Sequence, residues 1–391
     1  MKIIHVINYF QPKLGYQETF LAREQMKAGH DVSVITSDRY YAFPHFKKIY
    51  GDLLGDRKRL AGFFVEEGIP TYRLSTPFEV RFRVWLDGLE NLVIKLKPDL
   101  VISHAILSSS FRLAKMKSGG QGFKLIVDDH MDVFTRKDLI GRLYYSWRKK
   151  RIQKMLVPWV DKFVGVSKET CNALETLNGV PKEKIAYIPL GSDNDLYEFN
   201  KNKRRIVREK FRIADNGILL LYSGKFNSGK GVDTLVRAFG FLETDHKVDL
   251  LLVGDGVPEF KNYLRGLLSD EKKIALHFHP FVRAQDLPDF YSASDICVWA
   301  KETSTSILDA ASCSRPVIGC DLAAVKERLS NNNGLTYKTG DYEDLAAKIK
   351  YLCENDKLRQ EMGDRGRELI NEEFSWKVLS KKFIDCVNRV E

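Results

Sequence analysis

Short runs of valine, isoleucine and leucine alternate with segments of helical period along the whole chain, and the alternation runs through twice. In the first half the strand-like runs are Ile3–Val6, Val32–Thr36, Leu100–Ser103, Leu125–Val127 and Lys162–Val166, with amphipathic segments such as Glu18–Ala28 and Glu90–Leu96 between them. A turn-rich stretch from Ile188 to Lys203 interrupts the pattern, which restarts with Ile218–Ser223, Val248–Val253, Ala275–His279, Ile296–Trp299 and Val317–Gly319. Apolar strands joined through helices are buried on both faces, which requires a parallel sheet between two helical layers. The pattern therefore predicts an α/β protein of two Rossmann-like, doubly wound domains facing a cleft. The expected bounds are 1–190 for the first domain, 191–203 for a linker and 204–371 for the second. A last helix over 372–391 is expected to pack back on the first domain. In such sheets ligands gather at the carboxyl ends of the strands, so candidate residues are sought just past each run.

Composition narrows the class. A length of 391 residues suits two cores rather than one, and 44% hydrophobic with 29% charged residues is ordinary for a soluble globular chain. No run approaches the roughly 18 apolar residues of a membrane span, and MKIIHVINYF reads as a first strand rather than a cleavable signal. Six cysteines without a C-x-x-C pair argue against a zinc site or a disulfide framework and fit a reducing cytoplasm. The net charge of +10 is uneven: residues 1–200 carry 31 Lys and Arg against 23 Asp and Glu, while 201–391 carry 31 against 29. Within 112–155 there are 12 basic and 4 acidic residues. Such a surplus suits a polyanion, an anionic membrane surface, a phosphorylated substrate or a plain solvated face. No stacking motif or recognition-helix pattern supports a nucleic-acid partner.

The run Ile218–Ser223 leads into Gly224-Lys225-Phe226-Asn227-Ser228-Gly229-Lys230-Gly231 and then an amphipathic helix. Glycines admit close backbone approach, a helix N-terminus favours anions, and two lysines add point charges, which together suit a diphosphate. Either lysine alone would read as a solvated turn residue. A P-loop is ruled out because Gly231 stands where Ser or Thr would hold magnesium. No G-x-G-x-x-G follows the first strand, so a nicotinamide cofactor has no support. A second constellation passes from Trp299 through Glu302, Thr303, Ser304, Thr305 and Ser306 into a helix bearing Asp309. Backbone N–H groups of Thr303–Ser306 suit phosphate or sugar oxygens, and the carboxylates of Glu302 and Asp309 suit sugar hydroxyls. The competing assignment makes Ser304 or Ser306 a helix cap and leaves Glu302 in solvent. In the first half, Leu125–Val127 is followed by Asp128-Asp129-His130, where a histidine can hydrogen-bond a sugar or exchange a proton. His104, after Leu100–Ser103, is a weaker candidate of the same kind.

Taken in this order, the motifs from 218 to about 376 resemble the donor domain of glycosyltransferase family 4, which has the GT-B fold. Gly224-Lys225…Lys230-Gly231 matches the family's Gly-[Arg/Lys]…Lys-Gly element, and Gly254-Asp255-Gly256 its Gly-x-Gly after the next strand. Phe281-Val282…Leu287…Tyr291…Ser294-Asp295, Gly334–Ile349 and Met362–Trp376 match its later elements. The resemblance implies a retaining transferase that uses a nucleotide-diphosphate sugar, with no metal in the site and no further cofactor. It implies that Lys225 and Lys230 neutralise the departing diphosphate, that Asp309 binds the nucleotide ribose, and that His130 lies near the donor sugar. Asp128 and Asp129 would orient the His130 loop. The loop Tyr9–Glu18 corresponds to the family's Gly-rich acceptor loop, of which only Gly15 remains to let backbone amides meet phosphate or acceptor. One departure is plain. The family's Glu-x7-Glu element would place glutamate eight residues before Asp309, where this chain has Lys301; Glu302 is one residue out of register, beside Thr303 and Ser304 instead of glycines.

A departing nucleotide diphosphate needs its charge stabilised, which lysines and a helix N-terminus supply. No D-x-D is placed to hold a metal, Asp193-Asn-Asp195 lying in the expected linker. The resemblance implies front-face attack, with the leaving phosphate taking the acceptor's proton. Leu139–Trp159 sets apolar positions against Arg148-Lys149-Lys150-Arg151 and Lys154, a pattern that suits an anionic membrane or an ordinary sheet-packing helix. Arg81-Phe82-Arg83-Val84-Trp85 adds a second basic and aromatic patch. Both point to a lipid-linked or phosphate-bearing acceptor and a place on the inner face of the plasma membrane; with the resemblance, the expectation is a glycan or lipid-linked acceptor and a role in cell-surface polysaccharide or glycoconjugate synthesis. The alternatives are a sugar-nucleotide epimerase and a non-catalytic nucleotide-sugar-binding protein of the same fold. UDP and GDP are left open.

Overall fold

The computed structural model describes residues 1–80, 83–130 and 139–388, the side chains of 48, 49 and 139–142 apart. It divides into two compact units, Met1–Leu190 with Trp376–Glu391, and Gly191–Ser375. The residues 191–203 are part of the second unit. Ser192 N–H donates to the Phe374 carbonyl at 2.9 Å, and from Lys201 the chain is a helix whose first amides are capped by Asn200.

The first unit holds β1 (Lys2–Val6), β2 (Asp31–Ser37), β3 (Gly62–Glu66), β4 (Ile69–Leu74), a small pair β5 (Glu79–Val80) and β6 (Arg83–Val84), then β7 (Leu100–His104), β8 (Lys124–Asp129), β9 (Lys162–Gly165) and β10 (Ile185–Tyr187). Eight of them form one sheet in the order β10-β9-β8-β7-β1-β2-β4-β3. Within that sheet the pairs are parallel except β3 against β4, a hairpin turned through Glu67 and Gly68, both at positive φ; the separate pair β5 and β6 is antiparallel. Successive strand residues face opposite ways, so Ile3 and Ile4, or Leu100 and Val101, fall into two separate apolar clusters. One cluster packs under the helix Gln17–Lys27 and the C-terminal helix Trp376–Asn388, through Leu21, Trp376, Leu379 and Phe383. The other is covered by Leu89–Leu96, Ser108–Ser118 and Leu139–Met155.

The second unit holds β11 (Ile218–Ser223), β12 (Val248–Val253), β13 (Leu276–His279), β14 (Ile296–Trp299), β15 (Val317–Cys320) and β16 (Gly334–Tyr337). They pair in parallel in the order β13-β12-β11-β14-β15-β16. Numbered within the unit this is 3-2-1-4-5-6, the order of a dinucleotide-binding sheet, and the direction reverses between β11 and β14. Both strands at the reversal are wholly buried, as their unbroken apolar runs require. Among the described residues no helix is long and apolar enough to cross a membrane.

Candidate active site

The two loops singled out from the sequence leave the two strands that flank the reversal. After β11, Gly224 turns at positive φ and its N–H donates to the Val253 carbonyl at 2.9 Å. Gly254, after β12, lies against it so closely that a Cβ there would stand 1.8 Å from the Gly224 carbonyl oxygen. Only glycine permits this backbone-on-backbone contact. Asp255, by contrast, turns its side chain to solvent and pairs with Lys261 at 2.9 Å; Gly256 packs on Phe226. The Asn227 side chain caps the single turn Ser228–Lys230 by accepting from Lys230 N–H at 3.0 Å, and Gly231, at positive φ, opens the helix Val232–Phe241. A Cβ on Gly231 would meet Lys301, so this turn and the loop after β14 are in contact. Lys225 is exposed, and among the described residues no hydrogen bond or ion pair engages its ammonium.

Glu302 is not in solvent. Its carboxylate is 10% exposed, accepts the Tyr222 hydroxyl at 3.0 Å and pairs closely with the Lys230 ammonium. Burial first, and then the facing Glu302 carboxylate, pushes the Tyr222 phenol well up, so it stays a donor. Thr303 and Ser304 are held by their carbonyls, which accept from the Arg328 guanidinium. The Ser304 hydroxyl accepts from Ser306 N–H at 3.3 Å; among the described residues the N–H groups of Thr303, Ser304 and Thr305 carry no hydrogen bond. The helix Ser306–Ser312 then presents Asp309, which accepts the Ser192 hydroxyl at 2.7 Å. Burial pushes the Asp309 carboxyl up to about 7 despite that bond.

In the first unit the residues after Val127 depart from a loop. Asp128 and Asp129 are the last two residues of β8 and are buried. Asp128 accepts from His104 Nδ1 at 2.8 Å, from Gln17 at 3.0 Å and from Ala105 N–H at 3.1 Å. His130 follows, with Nε2 3.7 Å from Asp128 Oδ2. The His130 side chain is 41% exposed; its partial desolvation works against the charged form, yet the carboxylates of Asp128, Glu18 and Asp129 outweigh it and raise its pKa. Gly15 ends the turn Pro12–Leu14 in the left-handed conformation, which accounts for the glycine locally. Tyr222, Arg328, Ser192, Gln17 and His5 were not picked out from the sequence. A polar residue inside an apolar run, as His5 in Ile3-Ile4-His5-Val6, was the available signal.

The helix Leu139–Met155 divides its apolar residues: Ile152 is in the core, whereas Leu143, Tyr144 and Trp147 are exposed. Arg151 lies over the Phe111 and Trp147 rings, and Lys149 donates to the Thr176 carbonyl. Of the second basic patch, Arg81 and Phe82 lie outside the described residues; Trp85 is covered by the Arg112 guanidinium at 4.2 Å.

Two family models match the chain: "Glycosyltransferase Family 4" over residues 19–196 and "Glycosyl transferases group 1" over 203–369. An uncharacterised glycosyltransferase of Methanocaldococcus jannaschii is 24% identical over 100% of this chain and 99% of its own. The N-acetyl-alpha-D-glucosaminyl L-malate synthase of Bacillus anthracis is 28% identical over 94% of this chain and 91% of its own. Among solved structures, Anabaena HepE in complex with UDP superposes with a TM-score of 0.71 at 16% identity, covering 100% of both chains. The same protein has also been solved with UDP-glucose.

Proposed function

Because this chain is a glycosyltransferase of the family 4 group with the GT-B fold, we propose that it moves a sugar, with retention, from a nucleotide-diphosphate sugar to a glycan or lipid-linked acceptor. The observation that carries this reading is the placing of Gly224–Gly231 and Glu302–Asp309 on either side of the strand-order reversal in the second unit. There Lys225 and Lys230 meet the diphosphate, the open amides of Thr303–Thr305 meet phosphate or sugar oxygens, and Asp309 accepts from the ribose. UDP is the first nucleotide to test, given what HepE binds.

In this reading the acceptor hydroxyl attacks the anomeric carbon on the face from which the phosphate departs. A new carbon–oxygen bond forms as the bond to the diphosphate breaks, and the acceptor's proton passes to the leaving phosphate oxygen. Configuration is retained. The lysines carry the developing charge without a metal, as an electrostatic site can. Glu302 accepts hydroxyls of the donor sugar once the diphosphate draws Lys230 away, and His130 hydrogen-bonds a substrate hydroxyl. The exposed aromatic and basic residues of Leu139–Met155 support a peripheral place on an anionic membrane, the inner face of the plasma membrane, and a role in cell-surface glycoconjugate synthesis.

A donor screen by thermal shift tests the reading, because a ligand that binds only the folded state raises the melting temperature. UDP and UDP-sugars are expected to raise it, and GDP-sugars to do so less. No shift with any nucleotide sugar goes against a donor site. A shift without transfer to any glycan or lipid acceptor favours the binding-only alternative, and release of an altered free sugar favours an epimerase.

A further inference from the structure

The first unit carries a row of buried polar side chains that the transfer step does not use. Gln25 Oε1 faces His5 Nε2 at 2.7 Å, His5 Nδ1 faces His104 Nε2 at 3.0 Å, and His104 Nδ1 faces Asp128 Oδ2 at 2.8 Å. The two imidazoles lie nearly parallel, 9° apart. The row crosses three neighbouring strands, β1, β7 and β8, with His104 and Asp128 register partners. His5 and Asp128 are wholly buried and His104 is 6% exposed, so the row costs desolvation that packing alone would not incur. It ends at the oxygen to which His130 points. His104 and Gln17 already donate to that Oδ2, while His130 Nε2 stands at 3.7 Å, beyond a hydrogen bond.

We propose that His104, backed by His5 and Gln25, is a positioning residue that holds the Asp128 carboxylate short of a hydrogen bond to His130. This leaves the His130 ring free to meet a substrate hydroxyl. The proposal rests on the reading of His130 as a sugar-contacting residue. Facing His130 are Asp128 and Asp129 from β8 and Glu18 from the helix Gln17–Lys27. Facing Asp128 are His104 from β7 and Gln17 from that same helix; His5 from β1 stands behind. Without the His104 donor, a buried Asp128 has His130 as its nearest cationic partner. The carboxylate then closes on His130, which holds its proton more tightly and loses its freedom to turn. His104 thus acts by restraint.

Two polar replacements separate the edges of the His104 ring. His104→Asn keeps an amide where Nδ1 meets Asp128, and His104→Gln keeps one where Nε2 meets His5. The full chain, labelled with carbon-13 in its histidine rings, is titrated by NMR, with the His130 signal assigned by its loss in His130→Ala. His104→Gln is expected to raise the His130 midpoint by about one pH unit, His104→Asn to leave it near the wild-type value, and Asp128→Asn to lower it. Equal shifts in the two His104 variants, or none in His104→Gln, overturn the proposal. An unmoved midpoint in Asp128→Asn does so as well. If His104→Gln does not fold, the wild-type chain serves: a slowly exchanging His104 Nδ1 proton that disappears in Asp128→Asn is expected, and its absence overturns the assignment. These readouts need no turnover. A His130→Ala chain that still transfers sugar would therefore remove His130 from the reaction without touching the restraint itself.

Discussion

Lys230 is a cation with an occupant already in place. Its ion pair with Glu302 means that a diphosphate at the proposed site would have to compete for the ammonium, a coupling that residues 72 apart in sequence do not announce. Lys230→Ala is expected to weaken UDP binding by about 1.5–3 kcal/mol, the scale of a charge-assisted contact, and Lys225→Ala by less. Isothermal calorimetry checks both. Glu302→Gln is expected to do two opposite things: tighten UDP several-fold by releasing Lys230, and lower transfer of the sugar by removing its acceptor oxygen. Unchanged UDP affinity in that variant would show that the ion pair does not hold the lysine back. Asp309 supplies a pH test. Its carboxyl titrates in the folded chain near 7, and ribose hydroxyls donate to the ionised form. Nucleotide affinity is therefore expected to rise from pH 6 to 8 with proton release on binding, and to lose that slope in Asp309→Asn. A flat profile in the wild type would take Asp309 off the ribose.

Two elements carry predictions of their own. The close pass of the loops after β11 and β12 leaves no room for a methyl group at Gly254, whose φ is also positive. Gly254→Ala is expected to cost about 3 kcal/mol or more of stability and to impair UDP binding, since the backbone must move. Gly340, at positive φ but with nothing within 4 Å of a Cβ, is the comparison, and its alanine variant is expected to cost about 1 kcal/mol. Urea unfolding of both variants separates a steric clash from a backbone preference. The helix Leu139–Met155 is the second element. Each Lys or Arg near an anionic surface contributes about 1 kcal/mol, and salt screens it. The chain is expected to co-sediment with anionic vesicles at low salt and to leave them when Arg148, Lys149, Lys150 and Arg151 become Gln. Binding to neither kind of vesicle at low salt would point to a soluble acceptor, and equal binding to neutral vesicles would show that the basic run does not drive the contact.

Across the whole molecule, His5 in the first unit and Asp309 in the second respond to pH in opposite senses. His5 is kept neutral chiefly by burial, with its pKa held down to about 3 against 6.5 when unfolded. Its contribution to stability is full above 6.5 and is lost as pH falls towards 3, because only the unfolded chain takes up the proton. Asp128 lies below its unfolded value too, so its contribution goes at still lower pH, beneath about 3.8. Asp309 has the reverse sign: held protonated up to about 7 in the fold, it contributes most below the unfolded value and is lost as pH rises to 7. His5→Gln is thus expected to make the response of β1 to acidification from pH 7 to 4.5 less destabilising, read by hydrogen exchange, and Asp309→Asn to remove the corresponding gain around β14. Variants that respond to acid as the wild type does would contradict these assignments.

What the sequence by itself determined was local. Unbroken apolar runs and helices of period 3.6 made the central strands of both units legible, because a residue's local role follows from its neighbours in the chain. A glycine and lysine turn before a helix likewise offers a candidate anion site within a dozen residues. The strands β3, β10 and β16 escaped because edge strands are part exposed and lack an unbroken apolar run, and β4, which lies between β2 and β3, because Pro70, Thr71 and Arg73 interrupt its run. The tertiary structure alone decided who meets whom. Lys230 meets Glu302 across 72 residues and Ser192 meets Asp309 across 117. His5, His104 and Asp128 form a row only because β1, β7 and β8 lie side by side. Strand order is set by how each helix and edge is buried against the rest of the sheet, which is a property of the packed chain and is written in no local period.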